Sequence, residues 1–185
     1  LAGHQDNGTQ LKNASNVWTN ANGGDGMNCQ IDQTNSNYMY AGVQYGKIVR
    51  SSNAFSSGFG STTISDNISG IPKGAWLTPY VLDPNNQSVI VAGYADVYKT
   101  TNRGNSWTKI STNLTGSSTN YLRSIAVSAV SGNLIYAATF YGIWKSANGG
   151  TTWYSVKNGL PSSSAITGIC LHPTDSSIAW LTYSG

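Results

Sequence analysis

Charge is scarce in this sequence. Lys, Arg, Asp and Glu together make up 9% of its 185 residues, against about 25% in an average soluble protein. The lysines and arginines stand singly, as at Lys12, Lys47, Arg50, Lys73, Lys99 and Arg103, and the net charge is only +3. With no basic run or stripe, the electrostatic footprint of a nucleic-acid binder or of an anionic-membrane binder is missing. No apolar run approaches the roughly 20 residues that a membrane-spanning helix needs. Only two histidines occur, His4 and His172, and no cluster has metal-ligand spacing, so no metal is expected. Walker loops and dinucleotide fingerprints are also missing, and no cofactor is expected. Cysteine is limited to Cys29 and Cys170, far apart in the apolar stretches MNCQI and GICLH. The preferred reading is two buried thiols acting as small hydrophobes, since a disulfide would require their strands to meet. The chain opens on Leu1 with no initiating Met and no leader-like segment, and is expected to be a mature or excised piece.

Asn, Ser, Thr and Gly fill the place of charge, with 11 Tyr and six Trp among them. Strands favour β-branched and aromatic residues, and turns favour Gly and Asn. Such a composition suits an extracellular β protein. The aromatics and regular apolar runs argue against disorder.

An internal repeat organises the chain. Laying Val97–Ile110 over Ile143–Val156 puts Lys99 on Lys145, Asn102 on Asn148, Gly104 on Gly150 and Trp107 on Trp153, always 46 residues apart. The same offset carries Leu114 onto Leu160 and Val81 onto Val127. A worn copy lies earlier: IDQTNSNYMYAG (Ile31 to Gly42) matches LDPNNQSVIVAG (Leu82 to Gly93), placing Asp32 on Asp83, and KIVRSSN follows it. Each unit holds four short β-type runs, in the best copy Tyr80–Leu82, Ser88–Ala92, Val97–Lys99 and Trp107–Ile110, with no helical periodicity. Four strands every 40 to 50 residues is the period of a β-propeller blade. The expected fold is all-β, with about four units of four-stranded antiparallel blades. They divide as a partial blade over 1–26, blades over 27–77, 78–120 and 121–164, and a partial blade over 165–185. Both ends match the second strand of a blade, so an open arc of a larger ring is expected.

The segments TTNRGNSW (Thr100 to Trp107) and SANGGTTW (Ser146 to Trp153) resemble the Asp-box, Ser/Thr-x-Asp-x-Gly-x-Thr/Ser-Trp. That motif belongs to propellers of sialidases, sortilin-type receptors, xyloglucan-cleaving glycoside hydrolases and a photosystem assembly factor. Both copies carry Asn where the family usually has Asp. The expected role of Asn102, Gly104, Trp107, Asn148, Gly150 and Trp153 is structural. The Asn carbonyl accepts backbone N–H groups, Gly supplies positive φ, and Trp wedges between sheets. Asn for Asp further weakens any cation site. GHQDNGTQ (Gly3 to Gln10) and GGDGM (Gly23 to Met27) are similar to a pairing in large secreted bacterial propeller proteins, which implies a secreted or cell-surface location.

In such propellers the box joins strands three and four, so the loops joining strands two and three and those linking blades gather at the opposite end. Here they contribute Gln5, Asp6, Asn7, Asp25, Gln44, Tyr45, Trp76, Tyr94, Asp96, Phe140 and Tyr141. Tyr45, Tyr94, Tyr141 and Trp76 are expected to be exposed there as aromatic platforms. With neutral hydrogen-bonding neighbours, such platforms suit sugar rings, while ordinary packing between blades is the competing role. For catalysis, glycoside hydrolysis takes two carboxyl groups about 5 to 10 Å apart. Asp6, Asp25 and Asp96 are the candidates, and resemblance to the xyloglucan-cleaving enzymes implies a catalytic Asp in the loops of Asp6 and Asp96. The Asp-Val-Gly-Gly signature of those enzymes is not present in clean form, and a sialidase would need an arginine cluster where Arg50, Arg103 and Arg123 are scattered. The preferred reading is a secreted, non-catalytic binding module. Its partner is a surface glycan or a protein, with remaining blades or neighbouring copies as further partners. A xyloglucan-cleaving glycoside hydrolase and an assembly scaffold are the alternatives.

Overall fold

A computed structural model of the chain describes residues 1–56 and 61–185. Its described residues form strands joined by short connections, with two 3-10 turns (Gln44–Gly46 and Ile64–Asn67) and no α-helix among them. Two compact units are present, Leu1–Thr78 and Pro79–Gly185.

The first unit contains a three-stranded sheet, β1 (Ala2–His4), β2 (Gly8–Lys12) and β3 (Trp18–Asn22), paired in that order. A four-stranded sheet follows, β4 (Cys29–Ile31), β5 (Met39–Gly42), β6 (Ile48–Ser51) and β7 (Ser61–Thr63). The second unit opens with β8 (Tyr80–Asp83), β9 (Asn86–Gly93), β10 (Val97–Thr100) and β11 (Thr108–Lys109). It continues with β12 (Ser124–Val127), β13 (Ile135–Ala138), β14 (Ile143–Ser146) and β15 (Tyr154–Ser155), and ends with the pair β16 (Ile166–Leu171) and β17 (Ala179–Tyr183). Every pairing is antiparallel between consecutive strands. Short polar turns permit no other connection, because a parallel pairing needs a crossover of a dozen or more residues. The strand expected over Trp107–Ile110 is the shorter β11, for Trp107 leaves the ladder and only Thr108 and Lys109 pair with β10.

Within the second unit, alternation along the strands buries one set of side chains. In β12, Ile125 and Val127 point inward and Ser124 and Ala126 are half-buried. With Val91, Val97, Leu122, Ile135 and Ala137 they form one apolar cluster between adjacent sheets, flanked by Ile110, Trp144 and Trp153. Full burial of each large aliphatic side chain contributes about 1.5–3 kcal/mol. A second cluster, Ala138, Ile143 and Ile166, does the same between the last two sheets.

The turn joining the first two strands of a blade has a recurring side-chain cap. Asp32 Oδ1 accepts from the Thr34 and Asn35 N–H groups, and Asp83 Oδ1 from the Asn85 N–H. Ser128 Oγ accepts from Val130, and His172 Nδ1 accepts from Thr174 and Asp175. Four different residues thus meet one requirement, an acceptor for turn N–H groups. His172 is a turn residue in this sense.

Both cysteines are free. Cys29 is half-buried, burial pushes its thiol pKa up, and it donates weakly to the Met27 carbonyl. Cys170 corrects the expectation of two buried thiols: it is exposed, because it lies on the uncovered face of the two-stranded β16–β17 sheet.

Candidate functional site

The box-like turns sit between β10 and β11 and between β14 and β15. In the first, Thr100 Oγ1 accepts from the Gly104 N–H (3.0 Å) and donates to Asn102 Oδ1 (2.9 Å). Asn102 Oδ1 also accepts from the Ser106 N–H (2.9 Å), and its Nδ2 donates to Ser106 Oγ (2.9 Å). Ser146, Asn148, Gly150 and Thr152 repeat every one of these bonds. Gly104 and Gly150 have φ of 88° and 100°, a region where a Cβ is strained. Trp153 Nε1 donates to the Ile110 carbonyl of the neighbouring blade (2.8 Å) and to Gly150 O (3.1 Å). The worn copy keeps the opening of the pattern: Ser51 Oγ donates to Asn53 Oδ1 and accepts from the Phe55 N–H. A cleft of about 680 Å³, lined by Ser111, Asn113, Thr151, Thr152 and Trp153 among others, lies beside the second turn. It had no counterpart in the sequence reading, since its walls belong to two blades.

In the first unit the loops at the other strand ends connect into a continuous strip. The Asp6 N–H donates to Asp25 Oδ1 (2.8 Å), and the Asp25 N–H donates to Gln44 Oε1 (3.2 Å). Gln5, Asp6 and Asn7 are exposed in the β1–β2 turn, and Asp25 and Gln44 are half-buried. Tyr45 and Trp76 continue the strip. Their rings meet edge to face with centroids 5.0 Å apart, and they are 47% and 39% exposed. The backbone holds them in place: the Tyr45 N–H donates to Trp76 O (3.2 Å) and the Gly74 N–H to Tyr45 O (3.0 Å).

Beside Tyr45 is a pocket of about 440 Å³ lined by Val43, Gln44, Lys47, Ser65, Asp66, Ile71, Pro72 and Lys73, within the 300–1,000 Å³ range typical of small-molecule sites. Lys73 Nζ lies over the Tyr45 ring, 4.6 Å from its centroid. Two of the lining residues are strained. Tyr45 has φ 61° and ψ 26°, and Ile71, a β-branched residue, has φ 40°. Such conformations cost on the order of 1–3 kcal/mol each and collect at binding sites, where surrounding structure holds them.

The second unit treats its candidates differently. Phe140 and Tyr141 are exposed in the β13–β14 loop, 6.3 Å apart between ring centroids, with the Arg123 guanidinium 4.4 Å over Phe140. Tyr94 corrects the expectation of an exposed platform, being only 1% exposed. The link to the next blade crosses it, with the Leu122 N–H donating to Tyr94 O (2.7 Å), and its ring packs edge-on to Tyr98. Asp96 is likewise buried. Its carboxylate accepts from Ser111 Oγ (2.7 Å), the Leu114 N–H (2.9 Å) and the Asn113 N–H (3.2 Å), and pairs with Lys109 Nζ (2.8 Å). Burial pushes this carboxyl up, but the Lys109 ammonium and the donated hydrogen bonds outweigh it and hold it below the usual aspartate value. Asp96 therefore clamps the chain after β11. Asp6 and Asp25 lie in the first unit and Asp96 in the second.

Of the residues lining the pocket beside Tyr45, the sequence placed Asp66, Ile71 and Lys73 on this face only as part of the 65–76 link between blades, and did not single out Lys47. The signal was the length of that link, which repeats nowhere else in the chain. Among the described residues no cluster of three or more His, Cys, Asp or Glu could hold a metal ion.

No known protein family matches the sequence, and no curated protein sequence matches it. Solved structures do share its fold. An ancestral GH74 enzyme is 18% identical with a TM-score of 0.65, the match covering 90% of this chain and 23% of that one. A GH74 enzyme of Niastella koreensis is 20% identical with a TM-score of 0.58, covering 79% and 24%. An auxiliary nutrient binding protein from Bacteroides thetaiotaomicron is 10% identical with a TM-score of 0.58, covering 86% and 36%. The chain thus spans about a quarter of the length of either GH74 enzyme. At these identities the likeness is one of fold: an all-β chain of about four β-propeller blade units, each complete one a four-stranded antiparallel sheet.

Proposed function

We propose that this chain is a non-catalytic binding module of a secreted or cell-surface propeller, and that it binds glycans along the strip from Asp6 through Asp25 and Gln44 to Tyr45 and Trp76. On this reading the turns at Asn102 and Asn148 are Asn forms of the Asp-box. Propellers of this fold include both enzymes and a nutrient-binding protein, so fold does not choose between activities and the site must.

The observation that carries the reading is the exposed, edge-to-face pair Tyr45 and Trp76, fixed by two backbone hydrogen bonds and standing beside a 440 Å³ pocket. Sugar rings present apolar C–H faces to aromatic rings, and their hydroxyls suit the Gln44 and Asp25 side chains close by. Two of the three candidate carboxylates are engaged in loop contacts, which favours binding over hydrolysis. Asp96 is committed to Ser111, Asn113, Leu114 and Lys109, and Asp25 Oδ1 accepts from the Asp6 backbone. A general acid or nucleophile needs a carboxyl free to meet the scissile bond.

Glycan-array screening followed by titration calorimetry of the best ligand tests this. Tyr45→Ala and Trp76→Ala should each weaken binding at least about tenfold, near 1.4 kcal/mol. Tyr154→Ala, an exposed tyrosine on another blade, should leave it unchanged. An array without ligands, or affinity indifferent to both aromatic substitutions, defeats the reading. Release of reducing sugar that Asp25→Asn abolishes would instead establish the hydrolase.

A further inference from the structure

The sequence carries few charges, yet two of its ten basic residues line the one pocket beside Tyr45. Neither the Lys47 nor the Lys73 ammonium meets a carboxylate among the described residues. Lys73 instead rests on the Tyr45 ring, 4.6 Å from its centroid. An ammonium over an exposed tyrosine is weakly held. A carboxylate offers it a charge-assisted hydrogen bond, roughly twice as strong as a neutral one.

We propose that the pocket beside Tyr45 takes a carboxylate-bearing sugar, a hexuronate unit of an acidic glycan, with Lys73 leaving the Tyr45 ring to pair with the carboxylate. This rests on the glycan-binding reading above and names the substrate class for the same site. The resting contact of Lys73 occupies an aromatic face that a sugar ring would use. Moving it uncovers that face and places the cation at the edge of the incoming ring, where a hexuronate carries its carboxylate. Lys47, on the same pocket wall, adds to the attraction. Asp66, the one acid lining the pocket, can accept a sugar hydroxyl and offsets one of the two lysines, leaving a single net positive charge to match one carboxylate. The apolar wall of Val43, Ile71 and Pro72 faces the C–H side of such a ring.

Calorimetry with galacturonate, glucuronate and mannuronate oligosaccharides, each beside its methyl ester, tests the proposal. The preferred acid should bind at least about tenfold tighter than its ester at low salt, and the advantage should shrink as salt rises. Lys73→Gln should bring the acid down to the affinity of the ester while ester binding persists, and Lys47→Gln should do so in part. Equal affinity for acid and ester, a preference that survives Lys73→Gln, or stronger binding of a sulfated neutral sugar would each overturn the proposal while leaving glycan binding intact. Failure of both acids and esters to bind, with neutral glycans failing too, would overturn both readings.

Discussion

At the residue scale, the Asn102 and Asn148 amides each serve their turn as acceptor and donor at once. Each Oδ1 collects a hydroxyl and a backbone N–H, and each Nδ2 reaches the Ser106 or Thr152 hydroxyl. A carboxylate in the same place would receive that hydroxyl as a donor instead. Asn148→Asp is therefore expected to change stability by less than about 0.5 kcal/mol, whereas Asn148→Ala strips the acceptors from a turn N–H and should cost about 1–2 kcal/mol. Urea unfolding midpoints separate the two. The worn copy provides a complementary case. Phe55 stands where Gly104 and Gly150 stand in the other turns, and it holds φ 52° beside Ala54 at φ 55°. Left-handed conformation costs a non-glycine residue about 1–2 kcal/mol, so Ala54→Gly should raise the melting temperature. Replacing Gly150 by Ala does the reverse, for its Cβ would come within 2.5 Å of Ile110 Cδ1.

At the element scale, β10 and β11 are tied to the chain beyond them by Asp96. Its carboxylate replaces the ladder bonds that the two-residue β11 is too short to supply, holding Ser111, Asn113 and Leu114 in place. Asp96→Ala leaves buried donors unpaired and should cost about 1–3 kcal/mol. The pH dependence follows from the directions of the shifts. The Asp96 carboxyl lies lower when folded, so its contribution is complete above about pH 3.9 and fades as pH falls through the lower folded value. Lys109 is raised, chiefly by its hydrogen bond to Asp96, so its contribution holds below about pH 10.4 and fades as pH rises through the higher folded value. The ion pair is half open to water (Lys109 is 45% exposed), so its Coulomb share is at most about 1 kcal/mol and is screened by salt. Melting curves from pH 2 to 7 should show an acid-sensitive step that Asp96→Asn removes. Asp96 also illustrates what the sequence withholds. A loop aspartate reads equally as catalyst or as clamp, and only the chain that folds back at residues 111–114 distinguishes them.

At the scale of the molecule, neighbouring blades of the second unit pack against one another, and in repeat folds of this kind stability is about the sum of blade and neighbour-contact contributions. Trp153 belongs to a neighbour contact, packing on the cluster around Val97 and Ile125 and bonding Ile110 across the junction. Trp153→Ala should cost about 3 kcal/mol. Hydrogen exchange should then quicken in β10, β12 and β14, while amides of β5 and β6 in the first unit keep their protection. The array itself was legible in the sequence, because the 46-residue offset repeats lysine, asparagine, glycine and tryptophan together, and antiparallel blades follow from strands joined by short turns. The turn caps were largely legible: Asp32 and Asp83 align, and His172 of HPTD falls where Asp83 stands in DPNN, while Ser128 meets the same need with a hydroxyl.

The order of strands, the turns that reverse them and the loops that fall at one end of each sheet are local matters, settled by residue type and spacing along the chain. Exposure of those loops is settled elsewhere. Tyr45 and Tyr94 lie in the corresponding loops of two blades, three residues past Gly42 and one residue past Gly93, and one is 47% exposed and the other 1%. The link after Tyr94 carries Leu122 across it. The link after Tyr45 returns at Gly74 and Trp76, bonding its backbone and setting the Trp76 ring edge to face with it, and the ring stays half open with Lys73 above it. Which tyrosine becomes a platform depends on where a distant segment comes to rest. Accessible surface belongs to the folded neighbourhood of a residue, and spacing along the chain does not determine it.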